Sequence, residues 1–198
     1  MIPNSIKEIL KRDTEKSKVT EFENDEGGSY PYVILPLESR ASPEYFEAVV
    51  EGLKYMMEDE IERANVVLGI EAKAFVVTPL LAKELGLDWV AIRKRDYRME
   101  QLVIEQNKAY KGATKLYCVG LEKGDKPLIV EDMISSGGTL TATLEVLKKK
   151  NFEVAGIGSV YERGDCIKRI KEAGYNAKGL MRLEIKNGKP HVPRFYGD

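Results

Sequence analysis

Residues 128–140 constrain the fold more than any other part of the sequence. They begin with three apolar residues typical of a strand buried on both faces, and two carboxylates, Glu131 and Asp132, mark the expected end of that strand. Small residues follow, namely Ser135, Ser136, Gly137, Gly138 and Thr139. Leucines then recur at helical spacing from Leu140. This pattern predicts a strand, an acidic turn, a glycine-rich loop and a helix, which is an α/β arrangement.

The residue types in this stretch suit a ribose that carries a phosphate. Gly137 and Gly138 free backbone N–H groups at a helix N-terminus, and the neighbouring hydroxyls add donors for a phosphate dianion. Glu131 and Asp132 would repel a phosphate, but they can accept hydrogen bonds from two adjacent ribose hydroxyls. An ordinary strand-to-helix turn would use the glycines but rarely needs two adjacent acids before them. We therefore predict a sugar phosphate as the ligand.

Residues 130–140 resemble the motif with which type I phosphoribosyltransferases bind 5-phosphoribosyl 1-pyrophosphate (PRPP). The resemblance implies that Glu131 and Asp132 are the catalytic acids that hold the ribose hydroxyls. It implies that the small residues 135–139 hold the 5-phosphate. It also implies an α/β fold with a mainly parallel sheet, helices on both faces and a small N-terminal hood.

A second resemblance covers residues 69–87, which are similar to the adenine phosphoribosyltransferase branch. A predicted strand, a helix that runs to Gly86 and a second strand form one βαβ unit here. The resemblance implies that the turn after the first strand binds pyrophosphate through Glu71, Ala72 and Lys73. The branch commonly has Asp-Ser-Arg-Gly-Phe where this chain has Glu-Ala-Lys-Ala-Phe, so a lysine replaces the arginine fork. The alternative is that Lys73 is a solvated lysine at a helix start.

A basic run follows the second strand of this unit. Such a run is most often a solvated surface, and with Tyr97 inside it RNA contact is conceivable. A similar run lies beside the base and pyrophosphate in purine-using relatives. The resemblance therefore implies that four residues lie in the vicinity of the base and pyrophosphate: Phe75, Arg93, Lys94 and Arg95.

Residues 99–113 show no clear periodicity and are predicted to form a mobile loop. In the family a loop here closes over PRPP and excludes water from a reactive sugar cation. Tyr110 and Lys111 resemble part of the loop of adenine-specific members. The residue before them is an alanine where that loop usually has an acid, so Glu105 is the candidate substitute.

Asp165 follows a predicted core strand at residues 154–160. Acids after this strand lie near the base in oxopurine-using relatives, which makes Asp165 a candidate for base recognition or for metal binding. The alternative is that it caps the helix predicted at residues 166–173. A last strand is predicted at residues 177–185, followed by an irregular tail in which His191 is structural.

The N-terminal third is predicted to cover and support this core. Residues 1–18 are expected to form an amphipathic helix, residues 30–37 a short edge strand of the hood, and Ser42 is expected to cap a helix that packs on the sheet. We divide the chain at residue 60. Residues 1–60 hold the N-terminal helix, hood and packing helix, and residues 61–198 hold the PRPP-binding core of one integrated domain.

Composition argues against several other classes of protein. A net charge of -1 gives no indication of a nucleic-acid binder, although it leaves room for a local basic patch. The chain begins without the apolar run of a signal peptide or membrane span, so no membrane contact is expected. The cysteines, Cys118 and Cys166, are far apart and only one histidine is present, which disfavours a zinc site and agrees with the reducing cytoplasm.

The predicted function is purine phosphoribosyl transfer in purine salvage, in which PRPP reacts with adenine, hypoxanthine or guanine and pyrophosphate is released. The resemblance implies a homodimer that uses Mg²⁺, held mainly by substrate oxygens and water with Asp132 as a candidate ligand. Two alternatives stay open. One is another base, orotate or xanthine; the other is a PRPP-sensing regulator or nucleic-acid-binding protein on the same fold.

Overall fold

A computed structural model describes residues 1–23, 28–108 and 112–198 of the chain. The helices are α1 (Asn4–Glu15), α2 (Pro43–Met56), α3 (Glu58–Ile61), α4 (Thr78–Leu85), α5 (Gly138–Lys149) and α6 (Cys166–Glu172). The strands are β1 (Lys18–Glu23), β2 (Ser29–Ile34), β3 (Val66–Ile70), β4 (Asp88–Arg93), β5 (Leu102–Lys108), β6 (Gly112–Cys118), β7 (Pro127–Ile134), β8 (Gly156–Glu162), β9 (Ala177–Arg182), β10 (Glu184–Lys186) and β11 (Lys189–His191). In the part of the chain that the structure describes, none of these helices could cross a bilayer.

A seven-stranded sheet in the order β5-β6-β4-β3-β7-β8-β9 forms the centre of the molecule. The strands from β4 to β9 in that order are parallel, whereas β6 and β5 extend one edge in antiparallel fashion. Side chains on β7 alternate between two cores: Leu128 and Val130 pack with α1, α2 and α4, and Ile129 packs with α5 and α6. The predicted fold class, a mainly parallel sheet with helices on both faces, is confirmed.

Local signals in the sequence account for several helix ends. Ser42 caps α2, because its Oγ accepts a hydrogen bond of 3.1 Å from the backbone N–H of Tyr45, and Pro43 occupies the first helical position. Gly86 ends α4 in the left-handed conformation, with a φ of 66°. The segment predicted as one helix that runs to Gly86 is divided, however, into a 3-10 turn at Lys73–Val76 and α4 from Thr78.

The central strand is longer than predicted, and this corrects the position of its acids. β7 runs to Ile134, so Glu131 and Asp132 lie within the strand and not in a turn after it. Pairing with β8 explains the difference, since Glu131 stays in register with Ser159 and Met133 with Tyr161. The two acids made a strand unlikely from local polarity alone, but pairing with the neighbouring strand β8 stabilises this segment as part of the sheet.

The prediction of a loop over residues 99–113 is wrong for Leu102–Lys108, which is strand β5. β5 pairs with β6 in antiparallel register, and its side chains alternate: Val103 is exposed whereas Ile104 is buried. Glu105 therefore lies on a strand. Tyr110 and Lys111 lie outside the described residues.

Strands β1 and β2 form an antiparallel hairpin, and we use the name hood for this hairpin together with the 3-10 turn Pro36–Glu38 that follows it. The C-terminal tail packs beside the hairpin. The tail was predicted to be irregular, but β10 and β11 form a second hairpin. It is held on α1 by Glu15, whose Oε1 accepts hydrogen bonds from Val192 N–H at 2.9 Å and lies 3.1 Å from His191 Nδ1. The structural assignment of His191 agrees with this contact.

A chain of buried hydroxyls joins α1, α2 and β8 beneath the hood. Tyr45 shares a hydrogen bond of 2.5 Å with Tyr161 and one of 2.9 Å with the Thr14 hydroxyl. None of these side chains is exposed to solvent. The Thr14 hydroxyl also donates a hydrogen bond to Met181 Sδ at 3.7 Å. Tyr45 at the centre of the chain fixes α2 against β8.

We expect Tyr45→Phe to lower the free energy of unfolding by about 1.5 kcal/mol, because it leaves two buried hydroxyls without their shared partner. Urea unfolding monitored by circular dichroism measures the loss. Tyr55→Phe is the matched control, since Tyr55 is 47% exposed. Equal stabilities of the two variants would contradict a role for the buried chain.

Candidate active site

The candidate site lies where β3 and β7 separate. The two strands pair in parallel from Val66 with Pro127 to Gly69 with Val130, and beyond that point β7 pairs only with β8. The chain proceeds from β3 to β4 on one side and from β7 to β8 on the other. In open α/β sheets, the crevice at the carboxyl ends of strands at such a switch point is the usual ligand site.

A polar cavity of about 190 Å³ opens at this crevice. Its lining brings together the turn after β3, the first acid of β7 and the whole glycine loop: Ile70, Glu71, Glu131, Met133, Ile134, Ser135, Ser136, Gly137, Gly138, Thr139 and Leu140. Two motifs predicted separately from the sequence, residues 130–140 and the turn after β3, therefore meet in one cavity. Their proposed roles remain predictions.

The glycine loop has the geometry of an anion site at a helix N-terminus. Gly137 has a φ of 73°, and this turn directs the chain into α5 at Gly138. The first turn of an α-helix presents backbone N–H groups and carries the positive end of the helix dipole. A phosphate placed in the cavity would receive these N–H groups as hydrogen-bond donors.

Helix α6 supports the loop from below, which the sequence did not reveal. Arg169 Nη2 donates a hydrogen bond of 2.9 Å to the carbonyl oxygen of Ser136. Gly137 lies against Cys166 so closely that a Cβ on the glycine would be 2.0 Å from Sγ. No local pattern marks Arg169 or Cys166 as partners of the loop, because they are about thirty residues away and meet it only through the fold.

The two acids differ in their surroundings. Glu131 lines the cavity, whereas the Asp132 side chain is 6% exposed and is not part of the lining. Burial raises the pKa of Asp132 to about 6, and the positive charge of Lys73 opposes that shift. Burial and the charge of Asp132 both raise the pKa of Glu131 well above its ordinary value. Ionisation of these acids in the empty site therefore costs free energy, and hydrogen bonds donated by the hydroxyls of a ligand can reduce that cost.

Lys73 is held by the hood. Its Nζ forms an ion pair with Glu38 Oε1 and donates a hydrogen bond to the hydroxyl of Tyr32. Its side chain is 50% exposed, and it does not line the cavity of the glycine loop. Tyr32 and Glu38 were not predicted as site residues, since no motif matched in this part of the chain.

The remainder of the turn after β3 is fixed by the residue that follows β4. Glu71 Oε2 accepts a hydrogen bond of 2.9 Å from the backbone N–H of Lys94. Ala72 is exposed, and the peptide bond between Glu71 and Ala72 is cis. The turn and the basic run are thus joined directly.

Phe75 and Arg93 form a packed pair beside the turn. The Arg93 guanidinium lies 5.1 Å from the Phe75 ring centroid, and Trp89 meets the same ring edge-on at 5.3 Å. Lys94 and Arg95 have exposed side chains. The structure therefore brings Arg93 to Phe75 and leaves the next two cations at the surface.

Two other candidates do not line this cavity, although Glu105 lines a neighbouring cavity together with Ser136 and Gly138. Glu105 pairs with Lys115 at 2.9 Å on the β5–β6 hairpin, and both side chains are 53% exposed. Asp165 is exposed at the start of α6 and makes no capping hydrogen bond with its side chain. Neither residue lines the cavity of the glycine loop, and the roles assigned to them remain predictions.

Within the described ranges, no group of three or more histidine, cysteine, aspartate or glutamate residues could hold a metal.

Comparison with known proteins identifies relatives of the chain. Residues 44–180 match the family described as "Phosphoribosyl transferase domain". The chain is 32% identical over 162 residues to a protein of Ferroglobus placidus named hypoxanthine/guanine phosphoribosyltransferase, covering 80% of this chain and 84% of the relative. It is 33% identical over 175 residues to a protein of the same name from Methanosarcina barkeri, covering 86% of this chain and 90% of the relative.

Solved structures of similar fold include two adenine phosphoribosyltransferases. The Saccharomyces cerevisiae enzyme, complexed with an imino-altritol bisphosphate and adenine, superposes with a TM-score of 0.72 at 20% identity, covering 90% of this chain and 100% of that one. The enzyme from Thermoanaerobacter pseudethanolicus gives 0.70 at 23% identity, covering 89% and 99%. At these identities the likeness supports the fold.

Gly137→Ala tests how closely the glycine loop packs on α6. We expect it to lower the free energy of unfolding by about 3 kcal/mol, because a Cβ adds strain at positive φ and overpacks the Cys166 sulfur. Gly86→Ala is the matched control. It has a φ of 66° with no atom within 4 Å, so it should cost only about 1 kcal/mol.

Urea unfolding of both variants, and of Gly137→Ala combined with Cys166→Ala, measures the contact. The double variant should lose less than the sum of its parts, since the second change removes the atom that the first would overlap. Equal losses in Gly137→Ala and Gly86→Ala would argue against the contact.

The buried carboxyl of Asp132 should make stability depend on pH. Its folded pKa of about 6 exceeds the unfolded value of about 3.9, so the folded state binds more protons between these values. Stability contributed by this group is therefore lost as pH rises from about 4 to 6, by roughly 3 kcal/mol in all. Asp132→Asn removes that loss, so the variant should become more stable than the wild type as pH rises.

Urea unfolding of both proteins across this pH range measures the difference, with Asp59→Asn, at an exposed carboxylate, as the control. A difference between wild type and Asp132→Asn that stays constant with pH would contradict the assignment.

Proposed function

This chain belongs to the phosphoribosyl transferase domain family, and we propose on that premise that it is a purine phosphoribosyltransferase. It would transfer the 5-phosphoribosyl group of PRPP to hypoxanthine or guanine, with adenine as the second candidate, and release pyrophosphate. The observation that carries the proposal is the meeting of Glu71, Glu131 and the glycine loop in one cavity at the switch point. The names of the curated relatives support the oxopurines.

The glycine loop would bind the 5-phosphate and fix the position of the sugar. The N–H groups at the start of α5 supply donors and a favourable dipole, and the hydroxyls of the loop add further donors. The loop backbone is anchored through Arg169, so it needs little rearrangement to receive the anion. A phosphate bound to this fixed loop would hold the anomeric carbon of the attached ribose in one orientation.

Glu131 and Asp132 would accept hydrogen bonds from the ribose hydroxyls. Their raised pKa values reflect an environment that disfavours negative charge in the absence of a ligand. Donated hydrogen bonds favour the ionised form, which places negative charge beside the sugar as it gains oxocarbenium character. Catalysis in this scheme is chiefly positioning and electrostatic stabilisation.

The turn after β3 would receive the pyrophosphate group, with Glu71, Ala72 and Lys73 as its residues. Glu71 holds the turn to β4 through the N–H of Lys94, and Lys73 supplies the cation. Arg93 and Phe75 lie beside the turn, and the exposed Lys94 and Arg95 add positive charge to the approach. Such charge draws an anionic substrate toward the crevice.

The donor set agrees with Mg²⁺ that reaches the site with the substrate. Glu71 and Glu131 line the cavity and Asp132 adjoins Glu131 on β7, but the described residues include no cluster of three or more ligands that could hold a metal. Mg²⁺ prefers oxygen ligands and retains waters, so substrate oxygens would supply most of its coordination and Asp132 at most one ligand. When bound, Mg²⁺ would neutralise charge on the leaving pyrophosphate.

The proposal extends to the setting of the enzyme. We propose a cytoplasmic homodimer, for which the family resemblance is the support. Cys118 and Cys166 are both buried and form no disulfide, which agrees with a reducing compartment.

Steady-state assay of pyrophosphate release tests the function. The purified protein is given PRPP, Mg²⁺ and, in turn, hypoxanthine, guanine, adenine, xanthine or orotate, and we expect turnover with an oxopurine. Asp132→Asn should lower turnover by about a hundredfold or more with every base, because it removes a charge that the transition state needs. Asp59→Asn should leave turnover unchanged.

Each other result would change the proposal in a defined way. PRPP binding without turnover on any base would favour the regulator, and turnover with orotate alone would change the substrate class. Absence of PRPP binding, or full turnover by Asp132→Asn, would show that the site is wrongly assigned.

A further inference from the structure

Three side chains form a closed hydrogen-bonded triangle between the hood and the pyrophosphate turn. Tyr32 lies on β2, Glu38 ends a 3-10 turn at Pro36–Glu38, and Lys73 begins the 3-10 turn after β3. Lys73 Nζ contacts Glu38 Oε1 and the Tyr32 hydroxyl, and that hydroxyl donates to the same carboxylate oxygen. The second oxygen, Glu38 Oε2, accepts from Leu35 N–H at 3.3 Å, so the carboxylate is anchored on both sides.

The triangle keeps both of its ionisable ends charged and mutually neutralised. Burial lowers the pKa of Lys73, but its bonds to Glu38 and Tyr32 outweigh burial and raise it above the ordinary value. Burial likewise raises the pKa of Glu38, and the bonds from Lys73 and Tyr32 outweigh it and leave it lowered. The Glu38 side chain is only 13% exposed, which limits screening of the pair by water.

The charge of Lys73 also acts on Asp132. Its charge lowers the pKa of Asp132, while the charge of Glu38 raises it. The charge of Lys73 therefore acts on two carboxylates, one that it contacts in the hood and one in the strand of the candidate site. A pyrophosphate group that reached this lysine would meet a cation already neutralised and a carboxylate that repels it.

Resting on the proposed function, we propose that Glu38 is a positioning residue that acts through Lys73. Glu38 pairs with the Lys73 ammonium while the site is empty, and it competes with the pyrophosphate group for that ammonium. Binding of pyrophosphate then requires Lys73 to leave the hood carboxylate. The same exchange loosens the contact between hood and turn, so occupancy of the pyrophosphate position is communicated to the hood through one side chain.

The test is the dissociation constant of pyrophosphate with Mg²⁺, measured by isothermal titration calorimetry. Glu38→Gln keeps an acceptor for Lys73 and Tyr32 but removes the competing charge, so we expect binding about five- to tenfold tighter. Lys73→Gln should weaken binding about tenfold. In the Lys73→Gln background, Glu38→Gln should gain less than about twofold, since the residue for which Glu38 competes is gone.

Glu44→Gln is the matched control, because Glu44 is a carboxylate of the same region that pairs with Arg12 at 3.0 Å and not with Lys73. Tyr32→Phe is a second variant that keeps every charge. It removes one partner of Lys73 in the empty state, so it should tighten binding about twofold.

Unchanged or weaker binding in Glu38→Gln would overturn the inference. So would an equal gain with and without Lys73, because Glu38 would then act by charge at a distance. If Glu38→Gln does not fold, Tyr32→Phe decides the matter by the direction of its effect. Wild type that binds neither PRPP nor pyrophosphate would instead overturn the proposed function, which separates the two failures.

Discussion

The parallel pairing of β3 with β7 is the constraint on which the rest of the site depends. It stops at Gly69 and Val130, and the residues that follow on each strand separate to line the cavity. Because the chain continues from these strands in opposite directions, no crossover connection covers the gap between them. β7 then has one partner, β8, and that pairing carries Glu131 past the point where an isolated acidic segment would leave the sheet.

The charged and polar groups of this site are arranged so that a ligand with hydroxyls and anionic groups can interact with each of them. Asp132 is buried and its pKa is raised, the first residues of α5 line a cavity, and Lys73 is paired with a hood carboxylate. Each of these arrangements costs stability or affinity locally. A phosphorylated ribose with a pyrophosphate group carries the complementary hydroxyls and anions, so the same features that strain the empty site favour one class of substrate.

Local chemistry accounts for the parts of the molecule that the sequence could predict. The cap at Ser42, the buried strand β3 and the helix from Gly138 each follow from patterns within about fifteen residues. The parts that could not be predicted depend on partners far along the chain. β5 needs β6 to satisfy its backbone, and the Ser136 carbonyl needs Arg169. Lys73, in the turn after β3, acquires its hood partners only in the folded molecule.

The exchange of arginine for lysine in this turn becomes intelligible beside Glu38. An arginine fork would bind the hood carboxylate in two parallel hydrogen bonds, and such a pair is directional and slow to give up its partner. An ammonium is a point charge with three donors on a flexible stem, so it can pass from one acceptor to another without realigning a plane. Lys73 already contacts two hood oxygens and influences Asp132. A lysine at this position therefore suits a cation that must be released by the hood each time an anion arrives.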